Sequence, residues 1–229
     1  MEGLKTLLSE YDVLAAFWLT IKLTLLSAVG ALVIGTFVAV MRVSPVQVLR
    51  SFGTAYVTVI RNTPLTLIVF FCAFGLYNNL GIRLAASDSP TSIVDNNFRF
   101  GVIALAVYHA SFVAEALRSG INTVPQGQAE AARAVGLSFM PTLTNVVLPQ
   151  AFRGAIAPLG NVLIALTKNT TVVATVGVAE ASYLMKGMLE FNISLLYVIF
   201  VIMATGFVIL TLPVGVLFTH LSKRLAVRR

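Results

Sequence analysis

Residues 108–149 read YHASFVAEALRSGINTVPQGQAEAARAVGLSFMPTLTNVVLP, and this stretch decides the fold. An apolar helical pattern runs into a polar, alanine-rich insert, and a second apolar pattern follows. The insert carries its own punctuation. Thr123-Val-Pro-Gln126 has the spacing of a capping box, with threonine as N-cap, glutamine at N3 and proline tolerated in the first turn. The helix it opens is expected to reach Val135 and close on Gly136, and Ser138 is placed to cap a second short helix before Pro149. Val124, Val135, Leu137 and Phe139 set apolar side chains where nothing else in the chain covers them. Exposed apolar clusters of this kind point to a partner. Ala131 and Ala132 are small enough to let another backbone approach, and Glu130 offers a charge. The bland reading is a solvated hairpin with ordinary caps.

Composition places the insert in a membrane protein. Apolar residues make up 58% of the 229 and charged residues 11%, with a mean hydropathy of +0.91. A soluble domain carries about 25% charged residues, so little of the chain is left over for one. The net charge of +7 does not indicate nucleic acid, because the basic residues sit at the ends of apolar runs. The single cysteine, Cys72, lies inside such a run and reads as a small buried hydrophobe. Five spans are expected: residues 14–41, with Gly30 and Gly35 suited to close helix packing; residues 62–82, with Pro64 as helix start or kink; residues 100–119; a fourth after Pro149; and a fifth within 191–222, interrupted near Pro213. Glu115 and Arg118 are three apart and suited to pair on one helical face.

Charge sets the expected orientation. Residues 42–61 hold Arg42, Arg50 and Arg61 and no acid, the insert side adds Arg118, Arg133 and Arg153, and the tail KRLAVRR is purely basic. The intervening segments are balanced or acidic. Five spans with the N-terminus outside put every basic segment in the cytoplasm. The fourth span is odd: from Gly154 to Thr167 it is uncharged but too short to cross. Lys168 comes 15 residues after Arg153, or about 22 Å along a helix. An ionisable group at that depth is a functional candidate. Asn161, Lys168 and Thr171 can share one face, with Thr167, Asn169 and Thr170 beside them; the alternative is a lysine that snorkels or pairs with Glu180. His109, in the middle of the third span, reads as a packed, satisfied histidine, the alternative being a group that lines the path or titrates.

These residues carry a resemblance. Glu130-Ala131-Ala132, three residues, Gly136, nine residues, Val146 and then Leu148-Pro149 resemble the EAA loop of ABC-importer permeases. The phrases VIRNTPLTL (59–67), FVAEALRSGINTVPQGQAEAARAVGLS (112–138) and PLGNVLIALTKNTTVV (158–173) are similar to the polar amino-acid branch of that family, glutamate-uptake permeases in particular. The resemblance implies an all-α type I importer fold, with one transmembrane permease domain over 1–229 and a coupling loop over 120–149. It implies a cell-membrane assembly with a second permease subunit (identical or paralogous), two ATPase subunits and an extracytoplasmic amino-acid-binding protein. Glu130, Ala131, Ala132, Gly136 and Leu137 would then contact the ATPase. The chain has no G-x-x-x-x-G-K-[ST], so it is not expected to be an enzyme: ATP and its magnesium belong to the ATPase, and no cofactor or metal is expected here. Where the family usually reads Lys-Asp-Thr-Ser, this chain reads Lys168-Asn169-Thr170-Thr171. Loss of the acid leaves the lysine unopposed and favours an anionic side chain, so these four residues with Asn161 are the candidate substrate contacts. The alternatives are another polar amino acid, a secondary transporter driven by protons or sodium, and a membrane scaffold. A proton-coupled carrier usually keeps a carboxylate deep in the membrane, and here every acid falls near a span end or in a loop.

Overall fold

The computed structural model describes residues 7, 9–86 and 90–225. Glu2, Lys5, Asp88, Arg228 and Arg229, which contribute to the charge pattern, lie outside the described residues. All regular structure among the described residues is helical. Helix α1 (Val13–Val43) starts on Asp12, whose carboxylate accepts from the Ala15 N–H at 2.9 Å. It lies along α4 (Ser92–Ile121). A side chain at Gly35 would bring its Cβ within 2.6 Å of Val113 Cβ and 2.8 Å of the Ala110 carbonyl oxygen. The close packing expected of this glycine is therefore present, and it joins the two central helices.

The second crossing differs from expectation. It is not one run over 62–82 but two limbs, α2 (Gln47–Asn62) and the stretch Leu65–Asn79, bent by 104°. The second limb is α3 (Leu65–Phe70), continued by wider π-helical turns over Phe71–Asn79. The bend has a local cause. Thr63 precedes a proline and is extended (φ −88°, ψ 131°), the conformation that the proline ring forces on its predecessor. Pro64 has no N–H to continue the α2 ladder.

The fourth crossing also differs. Uncharged only between Gly154 and Thr167, it nonetheless spans Phe139–Val176, 38 residues. It comprises α6 (Phe139–Thr142), a π-helical turn (Leu143–Val147), α7 (Leu148–Asn169) and a 3-10 stretch (Thr170–Val176). The wide turn lies just before Pro149 and is held by the Leu148 N–H donating to Leu143 O. Arg153 and Lys168 are both exposed, so neither charge obliges the helix to stop. Helix α4 likewise begins earlier than the expected Phe100, because the Asn96 side chain accepts from the Leu84 and Ala85 N–H groups at 2.8 and 3.1 Å and ties the preceding loop to it. Helix α8 (Ala181–Phe191) is short. Helix α9 (Leu196–Leu225) passes through Pro213 without the expected interruption. Among the described residues four helices are long and apolar enough to cross, and the bent pair, taken as one span, makes five.

Of three buried clusters among the described residues, two lie along the paired helices α1 and α4 and the third joins α8 to α9. Val38, Ala39, Val57, Val113 and Leu117 pack together near the α1–α2 turn. Leu65, Ile68, Phe100, Leu105 and Val173 pack toward the other end. Cys72 is buried in the second cluster, as expected.

Candidate functional site

The hairpin between α4 and the fourth crossing is built from small local devices. Helix α5 (Gln126–Ala134) ends as the sequence predicts. Gly136 takes φ +94°; its N–H donates to Arg133 O at 2.9 Å and the Leu137 N–H to Ala132 O at 3.1 Å. This is the double bond pattern of a Schellman closure. The start is different. Pro125, extended at ψ 133°, is the N-cap and Gln126 the first helical residue, so Thr123 cannot form the capping box. Its hydroxyl instead donates back to Gly120 O at 2.7 Å and closes α4. Ser138 occupies the N-cap of α6 without a side-chain bond.

The exposed surface of the hairpin is narrower than the sequence implies. Ala132 is 7% exposed, the least open residue of the Glu-Ala-Ala triplet. Ala131, Glu130 and Gly136 are exposed, and Leu137 is half-buried. Val135, 80% exposed, is the most open of the expected apolar residues, and Met140 joins it. Val124 and Phe139 line a groove of about 570 Å³ with Val43, Pro125, Glu130 and Arg133 on its walls. At the base, Glu115 does not pair with Arg118. It accepts from Arg42, in the last turn of α1, at 2.6 Å.

Between the first two buried clusters the chain holds a layer of polar residues. His109 is 1% exposed, with Nδ1 2.9 Å from Leu105 O. That carbonyl can only accept, so Nδ1 carries the hydrogen and Nε2 accepts from the Asn169 amide at 3.2 Å. The histidine is satisfied, as expected. Asn161 and Lys168 come to one exposed face of α7. Their expected companions divide. Asn169 turns toward α4, Thr170 is fully buried with its hydroxyl donating to Thr167 O at 2.8 Å, and the Thr171 hydroxyl donates to Lys168 O at 2.8 Å.

This arrangement, a bent multi-span bundle with a groove-bearing hairpin, matches a known family. The model for the binding-protein-dependent transport system inner membrane component covers residues 31–227. The chain belongs to this family. The permease is 58% identical over 218 residues to the glutamate transport system permease protein GluC of Corynebacterium glutamicum, covering 95% of this chain and 96% of that one. It is 35% identical over 209 residues to the probable glutamine ABC transporter permease protein GlnM of Bacillus subtilis, covering 91% of each. Among solved structures, an amino acid ABC transporter crystallised with histidines superposes with a TM-score of 0.77 at 27% identity, covering 93% of each chain. The MetNI methionine ABC transporter shares the fold, with a TM-score of 0.75 at 21% identity, covering 99% of this chain and 100% of that one.

Three features of the permease escape a reading of its sequence. The Arg42–Glu115 pair joins residues 73 apart, beyond any helical spacing rule. The bond from Asn169 to His109 spans 60 residues. Glu180, read as a loop acid, is fully buried. It caps α8 by accepting from Ser182 and Tyr183 N–H at 2.9 and 3.1 Å, with the Thr20 hydroxyl 3.4 Å away. Burial raises its carboxyl from the ordinary 4.5 to about 7, partly offset by these hydrogen bonds. Its extended backbone (φ −81°, ψ −177°) is N-cap geometry, but glutamate is not among the residues favoured at that position, so the sequence carries no signal for it.

Proposed function

We propose that this chain is the permease subunit of an ATP-driven importer of an acidic amino acid, glutamate before aspartate. The observation that carries this reading is the end-to-end likeness to a glutamate transport system permease. The polar layer is consistent with it. Lys168 is exposed, and the residue beside it, Asn169, spends its amide on His109 rather than supplying a negative charge. A positive, acid-free path favours an anion and disfavours a cationic side chain.

Coupling is assigned to the hairpin over 120–149. Glu130, Ala131, Gly136, Leu137 and Val135 form its accessible end, and a separate ATPase seats against them; Ala132 supports the hairpin from inside. Arg42 and Arg50, the arginines of the insert and the basic tail then face the cytoplasm, with Arg61 deeper, at the bend, and the N-terminus faces outward. A loaded extracytoplasmic binding protein delivers substrate from that side, and a second permease subunit completes the path. The test is reconstitution of the assembly in proteoliposomes. Glutamate-loaded binding protein is expected to raise ATP hydrolysis and drive uptake, and Lys168→Ala to depress glutamate uptake about ten-fold. Uptake unchanged by Lys168→Ala would remove that residue from the path. Uptake that persists without ATP but follows a sodium or proton gradient would favour an ion-coupled carrier.

A further inference from the structure

The polar layer contains a second cation that faces outward. Arg61 lies in the last turn of α2, immediately before the 104° bend. It is exposed, and its guanidinium carbon stands 5.9 Å from the centre of the Phe112 ring. The Phe112 ring is 6.1 Å from His109, and His109 holds Asn169, the neighbour of Lys168. A short relay of packed groups thus links the bend to the end of α7. Its depth follows from the packing: Val57, one turn before Arg61, belongs to the first buried cluster, and Leu65, the first residue of the limb past the bend, belongs to the second.

Nothing in the described chain neutralises this pair of cations. Helices α2, α3 and α7 contain no acid. Of the two on α4, Asp95 accepts from the Thr91 hydroxyl at the far end, and Glu115 is engaged by Arg42. An unpaired guanidinium between two apolar clusters is costly against hydrocarbon, so its exposed face belongs to a hydrated path or to another subunit. Phe112 supports the guanidinium from one side through a cation–π contact. The edge that remains is the forked donor array that matches a carboxylate.

We infer that Arg61 is a second anchor on the substrate path, offering a carboxylate of the acidic amino acid a cationic contact beyond the one at Lys168. This rests on the assignment of Lys168 to the path. An amino acid with two carboxylates meets two cations; one with an amide side chain leaves one of them unpaired.

Binding of radiolabelled glutamate and glutamine to the detergent-solubilised assembly, without the binding protein, tests the inference in Arg61→Met, Arg61→Lys and Lys168→Ala. Arg61→Met is expected to weaken glutamate about ten-fold while glutamine changes less than about three-fold, and Arg61→Lys to retain most of the affinity. Loss in Arg61→Met with Lys168→Ala unchanged would keep Arg61 on the path and remove Lys168. Loss in Lys168→Ala alone would overturn Arg61 and leave the Lys168 assignment standing. No change in either would overturn both. If Arg61→Met separates the permease subunits on size exclusion while Arg61→Lys does not, Arg61 is an interface residue and the inference fails.

Discussion

The hairpin and the polar layer are both interruptions in an apolar chain, but they are held in opposite ways. The hairpin is local: its closure uses backbone groups within five residues of one another, from Ala132 to Leu137. The layer is non-local: Arg61, His109 and Asn169 come from three helices, with Phe112 between Arg61 and the other two, and are linked only because the bundle folds. A device of the first kind transmits force through its shape, so its weak points are backbone conformations. A device of the second kind selects by charge, so its weak points are side-chain substitutions that leave the backbone alone.

The largest effect is expected where the two regions meet. The Arg42 side chain is 6% exposed and depends on Glu115 for its counter-charge. Glu115→Gln leaves that guanidinium buried and uncompensated, at a cost of about 3 kcal/mol, the lower end for a broken buried pair because Glu115 is partly open to solvent. A fall in thermal midpoint of the purified assembly checks this, and the double variant with Arg42→Met is expected to recover most of it. If Glu115→Gln were silent, the hairpin base would not depend on a long-range contact and the contrast would lose its junction.

Glu180 extends the comparison to pH. Its carboxyl is raised to about 7 in the folded chain, by burial. The folded state therefore holds the proton more tightly than the unfolded state. Stability is highest below the unfolded value near 4.5, declines as pH rises toward 7, and is flat above that. The span is about 2–3 kcal/mol. Unfolding followed across this window is expected to show the decline in the native chain and not in Glu180→Gln. A rise in stability over the same window would mean that the carboxylate has an unseen cationic partner.

A third effect concerns selectivity alone. Asn169→Asp places a carboxylate on the His109 Nε2, which then gains a proton to donate or leaves two acceptors facing each other. With the acid present, Lys168 is partly neutralised, and glutamate uptake is expected to fall about ten-fold while binding-protein-stimulated ATP hydrolysis persists. Equal loss of both activities would show that the layer is structural.

Legibility in the sequence follows the same division. Spans 1, 3 and 5 were readable because hydropathy is additive along a segment, and Gly136 because a left-handed closure needs a particular residue at a particular place. The bend at Thr63–Pro64 was readable only as a choice between start and kink, since proline removes a hydrogen bond in either case. The fourth span was misjudged because charged residues count against a crossing in a window, whereas Arg153 and Lys168 stand on an exposed face and cost the helix nothing. Thr123 was misassigned because a capping motif is a spacing, and Pro125 took the capping position. The burial of Ala132 is not legible because small size suits close approach from inside as well as from outside. The link from Arg61 to His109 and Asn169 follows no spacing rule.

The smallest energetic effect gives the sharpest test of the hairpin. At Gly136 no atom lies within 4 Å of where a Cβ would stand, yet φ is +94°. Within the chain, then, a side chain here meets backbone strain and no neighbour. Alanine is expected to cost about 1–2 kcal/mol, asparagine less because it tolerates the left-handed region, and valine most because it is β-branched. Stimulated ATP hydrolysis in the reconstituted assembly should fall in that order, with asparagine mildest. If the glycine served instead to admit the ATPase backbone, size would decide and alanine would be milder than asparagine. The rank of those two variants separates a hairpin that transmits force through its own shape from one that merely makes room.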